Sequence, residues 1–73
     1  MKLESNVKGF VEVIKRKENG FAVKIMTENG EFHEYGNLNS VNVKEFDLVN
    51  VGDCIGNIKG ELSYSVKVQP RAV

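Results

Sequence analysis

Apolar residues in this chain recur mostly with a period of two, and the runs that carry them are separated by Gly and Asn. The alternation is cleanest near the C-terminus, where Leu62, Tyr64, Val66 and Val68 interleave with Glu61, Ser63, Ser65 and Lys67. That spacing predicts a strand with one apolar and one polar face. A second strand is predicted over 21–27, with Phe21, Val23 and Ile25 on one face and Ala22, Lys24 and Met26 on the other. A strand over 7–16 carries Phe10, Val11, Val13 and Ile14 and so places apolar groups on both faces, as a strand enclosed by a small barrel or sandwich does. A shorter strand is expected over 31–35. Between these runs stand Glu18-Asn19-Gly20 and Glu28-Asn29-Gly30. Asn-Gly accepts the positive φ angles of a tight hairpin, so both tripeptides predict turns.

The stretch 37–47 has no clear period. Val41, Val43, Phe46 and Leu48 are expected to peg it to the core. After it, Val49-Asn50-Val51-Gly52-Asp53 leads into Ile55-Gly56-Asn57-Ile58. No helix-period segment of useful length occurs, and two Glu-Asn-Gly turns so close together do not make a solenoid repeat. The tail Gln69-Pro70-Arg71-Ala72-Val73 is expected to fray, because proline cannot donate to a ladder. These signals together predict an all-β fold, a small barrel-sandwich of short antiparallel strands, with residues 1–73 forming one domain.

Size and charge narrow the functions. A chain of 73 residues buries only about 60% of its extended surface, so the core is small. Ten Lys and Arg balance ten Asp and Glu. A net charge of zero lacks the basic footprint of a nucleic-acid or polybasic membrane binder. No apolar run approaches the roughly 18–20 residues that span a bilayer, and Met1-Lys2-Leu3-Glu4 does not read as a signal peptide. The single cysteine, Cys54, excludes an internal disulfide and reads as a small buried hydrophobe beside Ile55. His33, the only histidine, has no Cys, Asp or second His at ligand or triad spacing and reads as a partly exposed strand residue. Ser63 and Ser65 lack a Gly-x-Ser-x-Gly context, and Glu34 with Glu61 form no recognisable carboxylate pair.

Two segments carry a resemblance. Tyr35-Gly36-Asn37-Leu38 and Gly60-Glu61-Leu62-Ser63-Tyr64-Ser65-Val66 resemble the Tyr-x-His-Leu and Gly-x-His-Leu-His-Phe-Glu-Val segments of the lysostaphin/LytM-type zinc endopeptidases, which cut peptidoglycan cross-links. Gly9-Phe10-Val11 is similar to the family's Gly-x-Val strand. Val23-Lys24-Ile25 with Asn29-Gly30 resembles its Val-x-Ile-x-His-x-x-Gly hairpin, with Thr27 in place of the histidine. Val43-Lys44, Val49, Gly52-Asp53 and Ile55-Gly56 resemble a loop that also occurs in biotinyl/lipoyl and other barrel-sandwich domains.

The resemblance implies the LytM-type fold without its chemistry. In that family two zinc ligands, a His and an Asp, lie upstream of the segment resembling Gly9, and none of the eight residues before Gly9 is His, Cys or Asp. The third ligand is the second His of His-Leu-His, which corresponds to Ser63. A neutral hydroxyl is a poor zinc ligand beside imidazole. The other two histidines would assist water activation and correspond to Glu61 and Asn37. Tyr35, Asn37, Glu61 and Ser63 are therefore expected to line a vacated groove, with no catalytic residue, no metal and no cofactor. Among degenerate members of the family, Tyr-Gly-Asn-Leu and the stretch Val43-Lys44-Glu45-Phe46-Asp47-Leu48-Val49 are most similar to membrane-anchored sporulation regulators that hold an intramembrane protease. That likeness implies a protein partner in a membrane protease complex, an anchor preceding Met1 in a longer protein, and the extracytoplasmic face of a bacterial membrane. Other readings are a barrel-sandwich adaptor of SH3-like or OB-like type, or a biotinyl/lipoyl-type carrier. A carrier would offer Lys59 in Ile58-Lys59-Gly60, but without the usual Met-Lys-Met or Asp-Lys-Ala flanks.

Overall fold

The computed structural model describes residues 1–68, so the tail expected to fray lies outside the described residues. Six strands follow in chain order: β1 (Lys2–Glu4), β2 (Gly9–Lys17), β3 (Gly20–Thr27), β4 (Glu31–Val41), β5 (Leu48–Val49) and β6 (Cys54–Val68). All pairings are antiparallel, in one sheet of order β1-β6-β4-β3-β2-β5. The two Glu-Asn-Gly turns join β2 to β3 and β3 to β4, with positive φ at Gly20 and Gly30. Leu3 from β1 and Val49 from β5 come from the two ends of that order, yet both belong to one core cluster. The sheet therefore curls into a half-barrel around its apolar face.

Register makes that face explicit. Val11, Ile25, His33 and Val66 lie across four neighbouring strands in one row, and Ile14, Val23, Tyr35 and Tyr64 form the next. Val11, Val23, Ile25, Leu38 and Ile55 are fully enclosed. Side chains of this kind contribute about 1.5–3 kcal/mol each when buried. The opposite face carries Lys24 over the Phe32 ring, 5.7 Å from its centroid, and a Lys15–Glu34 pair at 3.7 Å.

Bulges account for the departures from simple alternation. Glu12 is an extra residue on β2, between Val11 and Val13. At this point the backbone turns out to meet the 44–47 turn: Phe46 N donates to Val11 O (2.7 Å) and Val11 N to Asp47 O (2.9 Å). Those bonds, together with half-buried Val41 and Val43, hold the aperiodic stretch, while Phe46 and Leu48 are 76% and 82% exposed. The expectation that Phe46 and Leu48 would peg the loop is thus corrected: backbone bonding replaces apolar anchoring there, and Val49 is the buried residue.

Two strands are much longer than expected. β4 runs on to Val41 and β6 spans 15 residues. Ile55-Gly56-Asn57-Ile58 and the alternating run Leu62–Val68 belong to the one strand β6: Gly36 pairs with Ser63 and Leu38 with Ile58, so residues 59–62 bulge out with Gly60 at φ +89°. Among the described residues no helix is long and apolar enough to cross a membrane.

Candidate functional site

The two segments that carry the resemblance are neighbours in the sheet. Tyr35–Tyr64 and Gly36–Ser63 are cross-strand partners of β4 and β6. Asn37 sits in the β4 bulge at φ +64°, a conformation that Asn tolerates better than most residues. Its Nδ2 donates to Glu61 O at 3.0 Å, and this bond ties the β4 bulge to the wider bulge of β6. Asn37, Glu61 and Ser63 are exposed and lie close together on adjoining strands.

Tyr35 is placed differently. It is 2% exposed and lies in the row of Val23 and Tyr64, on the core face, whereas Ser63 and Gly36 belong to the other face. The structure thus groups three of the four expected groove residues and turns the fourth into the core. Two physical reasons combine: the period of two sets Tyr35 on the face opposite to Gly36 and its partner Ser63, and the β4 bulge turns Asn37 away from the face it would otherwise share with Tyr35.

On the core face Tyr35 belongs to a polar chain. Glu31 Oε1 lies 3.1 Å from His33 Nε2, and His33 Nδ1 lies 2.7 Å from the Tyr64 hydroxyl. Asn6 Nδ2 donates to that hydroxyl at 3.3 Å, and the Tyr35 hydroxyl donates to Asn6 Oδ1. The Tyr35 and Tyr64 rings stand 5.0 Å apart. Burial pushes the Tyr35 hydroxyl above its ordinary value of 10.0, with a hydrogen bond to Ser5 opposing. His33 is 6% exposed and bonded through both ring nitrogens. This corrects the reading of a partly exposed histidine without partners: its partners come from its own strand face (Glu31) and from β6 (Tyr64). Sequence reasoning missed Glu31, Asn6 and this use of Tyr64. The available signal was Glu31-x-His33-x-Tyr35, three polar-tipped residues on one strand face; nothing local pointed to Asn6.

The chemistry open to this arrangement is limited. Among the described residues no three of His, Cys, Asp and Glu come together to hold a metal ion. No buried side-chain nitrogen or oxygen among them lacks a partner, so the network fills its own hydrogen-bonding capacity. Ser65 and Glu34 are cross-strand partners, and Glu34 pairs with Lys15 rather than with Glu61. Cys54 is half-buried, 3.1 Å from Asn42 Nδ2, beside fully buried Ile55. Lys59 lies within β6, at its bulge, and not at a hairpin tip. A groove of about 610 Å³ is walled by Phe10, Met26, Leu48 and Val49, away from Asn37, Glu61 and Ser63. Compared with known proteins, the chain matches no family model, and no curated protein matches it significantly.

Proposed function

We propose that the chain is a non-catalytic, peptidase-like interaction domain of LytM type, most similar to stage IV sporulation protein FA. In this reading it acts on the extracytoplasmic face of a bacterial membrane, associated with the forespore. Its partner is a membrane-embedded protease complex, which it scaffolds or regulates. The observation that carries the proposal is the meeting of the two resembling segments. Tyr35–Leu38 and Gly60–Val66 run side by side, and the positions that correspond to the family's histidines adjoin as Asn37, Glu61 and Ser63.

An amide, one carboxylate and a hydroxyl are a weak donor set for zinc, which takes three strong protein ligands in catalytic sites. The Asn37 amide is moreover engaged by the Glu61 carbonyl. The carrier alternative has less support, because Lys59 lacks a hairpin tip; an intact mass without a lipoyl or biotinyl adduct disposes of it.

The test is elemental analysis of the purified domain with a cleavage assay on peptidoglycan cross-bridge peptides. Substoichiometric, loosely held zinc and no cleavage are expected. One tightly bound zinc per chain would overturn the non-catalytic reading. Co-purification of the purified domain with an intramembrane metalloprotease tests the partner, and binding that survives Asn37→Ala and Ser63→Lys together would move the contact away from this groove.

A further inference from the structure

His33 is buried on the core face with a partner at each ring nitrogen, and those partners decide which nitrogen carries the hydrogen. A carboxylate only accepts, so Nε2, 3.1 Å from Glu31 Oε1, holds it. In the neutral ring Nδ1 is then an acceptor, and the Tyr64 hydroxyl at 2.7 Å donates to it. The rest of the network runs the same way. Asn6 Nδ2 donates to the Tyr64 oxygen, and Asn6 Oδ1 accepts from the Tyr35 hydroxyl. Every hydrogen from Tyr35 to Glu31 thus points in one direction, set by the carboxylate at the far end.

The other end of the network lies where the two margins of the sheet meet. Ser5, the neighbour of Asn6, donates its N–H to Asp53 O at 2.8 Å and accepts from Gly52 N at 2.8 Å. These bonds join the end of β1 to the turn between β5 and β6, although β1 and β5 stand at opposite ends of the strand order.

We propose that His33 is a proton-operated clasp: a second proton on its ring reverses the bond to Tyr64, releases Asn6 and loosens the junction of Ser5 with the 50–53 turn. Protonated imidazole donates from both nitrogens. Toward Glu31 the result is an ion pair across the same 3.1 Å. Toward Tyr64 it is a conflict. The hydroxyl must accept from His33 while it already accepts from Asn6, and its own hydrogen is left without an acceptor, because Asn6 Oδ1 is taken by Tyr35. Turning the Asn6 amide over only moves the conflict to the Tyr35 hydroxyl. Asn6 is exposed, so the least costly relief is for it to swing into water, with water replacing it at Tyr64. The ionisable groups that face His33 are Glu31 and Tyr35 on β4 and Tyr64 on β6. β3 presents Ile25, with Lys24 on the opposite face, and residues 5–7 carry no ionisable side chain. Nothing in this clasp depends on the peptidase resemblance.

Nitrogen NMR of the imidazole, with amide hydrogen exchange from about pH 8 down to about pH 5, tests the proposal across the range where histidine changes charge. Circular dichroism follows folding. At the higher pH the ring is expected as the Nε2–H tautomer. As it takes up its second proton, the Asn6 side-chain amide signals should move with the same midpoint. Protection of the Ser5 and Gly52 amides should fall by about tenfold, the size of one net hydrogen bond. Tyr64→Phe keeps the ring and removes the hydroxyl, so His33 should still titrate while Ser5 and Gly52 no longer follow it. An Nδ1–H tautomer at the higher pH would overturn the proposal. So would Asn6, Ser5 and Gly52 signals that ignore the titration in the wild type, that still follow it in Tyr64→Phe, or that change only when every strand opens at once.

Discussion

His33 and Asn37 show what a residue owes to its own segment and what it owes to strands far away in sequence. Asn37 was conspicuous in the sequence because it stands in a Tyr-x-His-Leu-like segment. Its left-handed φ and its bond to Glu61 O follow from the bulges of β4 and β6, which no local pattern announces. The burial of His33 was illegible for a related reason: alternation places Glu31, His33 and Tyr35 on one face but does not say that Tyr64 will lie across from Tyr35. Tyr35 gives the testable consequence. Its folded pKa lies above the ordinary value of 10.0, so the folded state holds the phenolic proton after the unfolded chain has released it. Its contribution to stability is therefore constant below pH about 10 and is lost as pH rises from there through the folded value. Tyr35→Phe should cost about 1 kcal/mol at neutral pH, for the lost bond to Asn6, and should show a shallower alkaline fall than the wild type. Urea unfolding at a series of pH values from 7 upward measures both.

At the scale of the element, hairpins were legible and strand lengths were not. Asn19-Gly20 and Asn29-Gly30 fix two turns by backbone chemistry alone, and β3 falls within one residue of its expected bounds. The 15 residues of β6 join two runs, 55–58 and 62–68, that the apolar pattern leaves unconnected, because the bulge between them interrupts the alternation. Gly56 and Gly60 serve different ends inside that strand. Gly56 pairs with Val41, and a Cβ there would run into the Ser40 carbonyl oxygen, a backbone atom that cannot swing aside. Gly60 has open space around it and needs only its φ of +89°, which lets residues 59–62 bulge. Gly56→Ala should accordingly destabilise by about 2–3 kcal/mol, through overpacking against rigid backbone. Gly60→Ala should cost about 1–2 kcal/mol, as conformational strain alone. If thermal unfolding ranks the two in the reverse order, the close approach of β4 and β6 at Gly56 is wrongly placed.

For the whole molecule, period-two patterning was enough to give an all-β fold, since apolar residues on alternate positions can be buried together only by sheet faces. It could not give the strand order, and strand order decides which alternating strand ends up enclosed. The clearest alternation, Leu62 to Val68, lies at the open margin of the half-barrel, whereas β3, with both Ala22 and Val23 buried, lies at its centre. A single row of the sheet turns this into a measurement. Ile25 and Val66 lie in the same row on the core face, two strands apart. Ile25→Ala removes fully enclosed methyl groups and should cost about 2–5 kcal/mol. Val66→Ala removes a half-exposed side chain and should cost below about 1 kcal/mol. A loss at Val66 as large as that at Ile25 would mean that the margin is closed over, and that the sheet forms a complete barrel rather than a half-barrel.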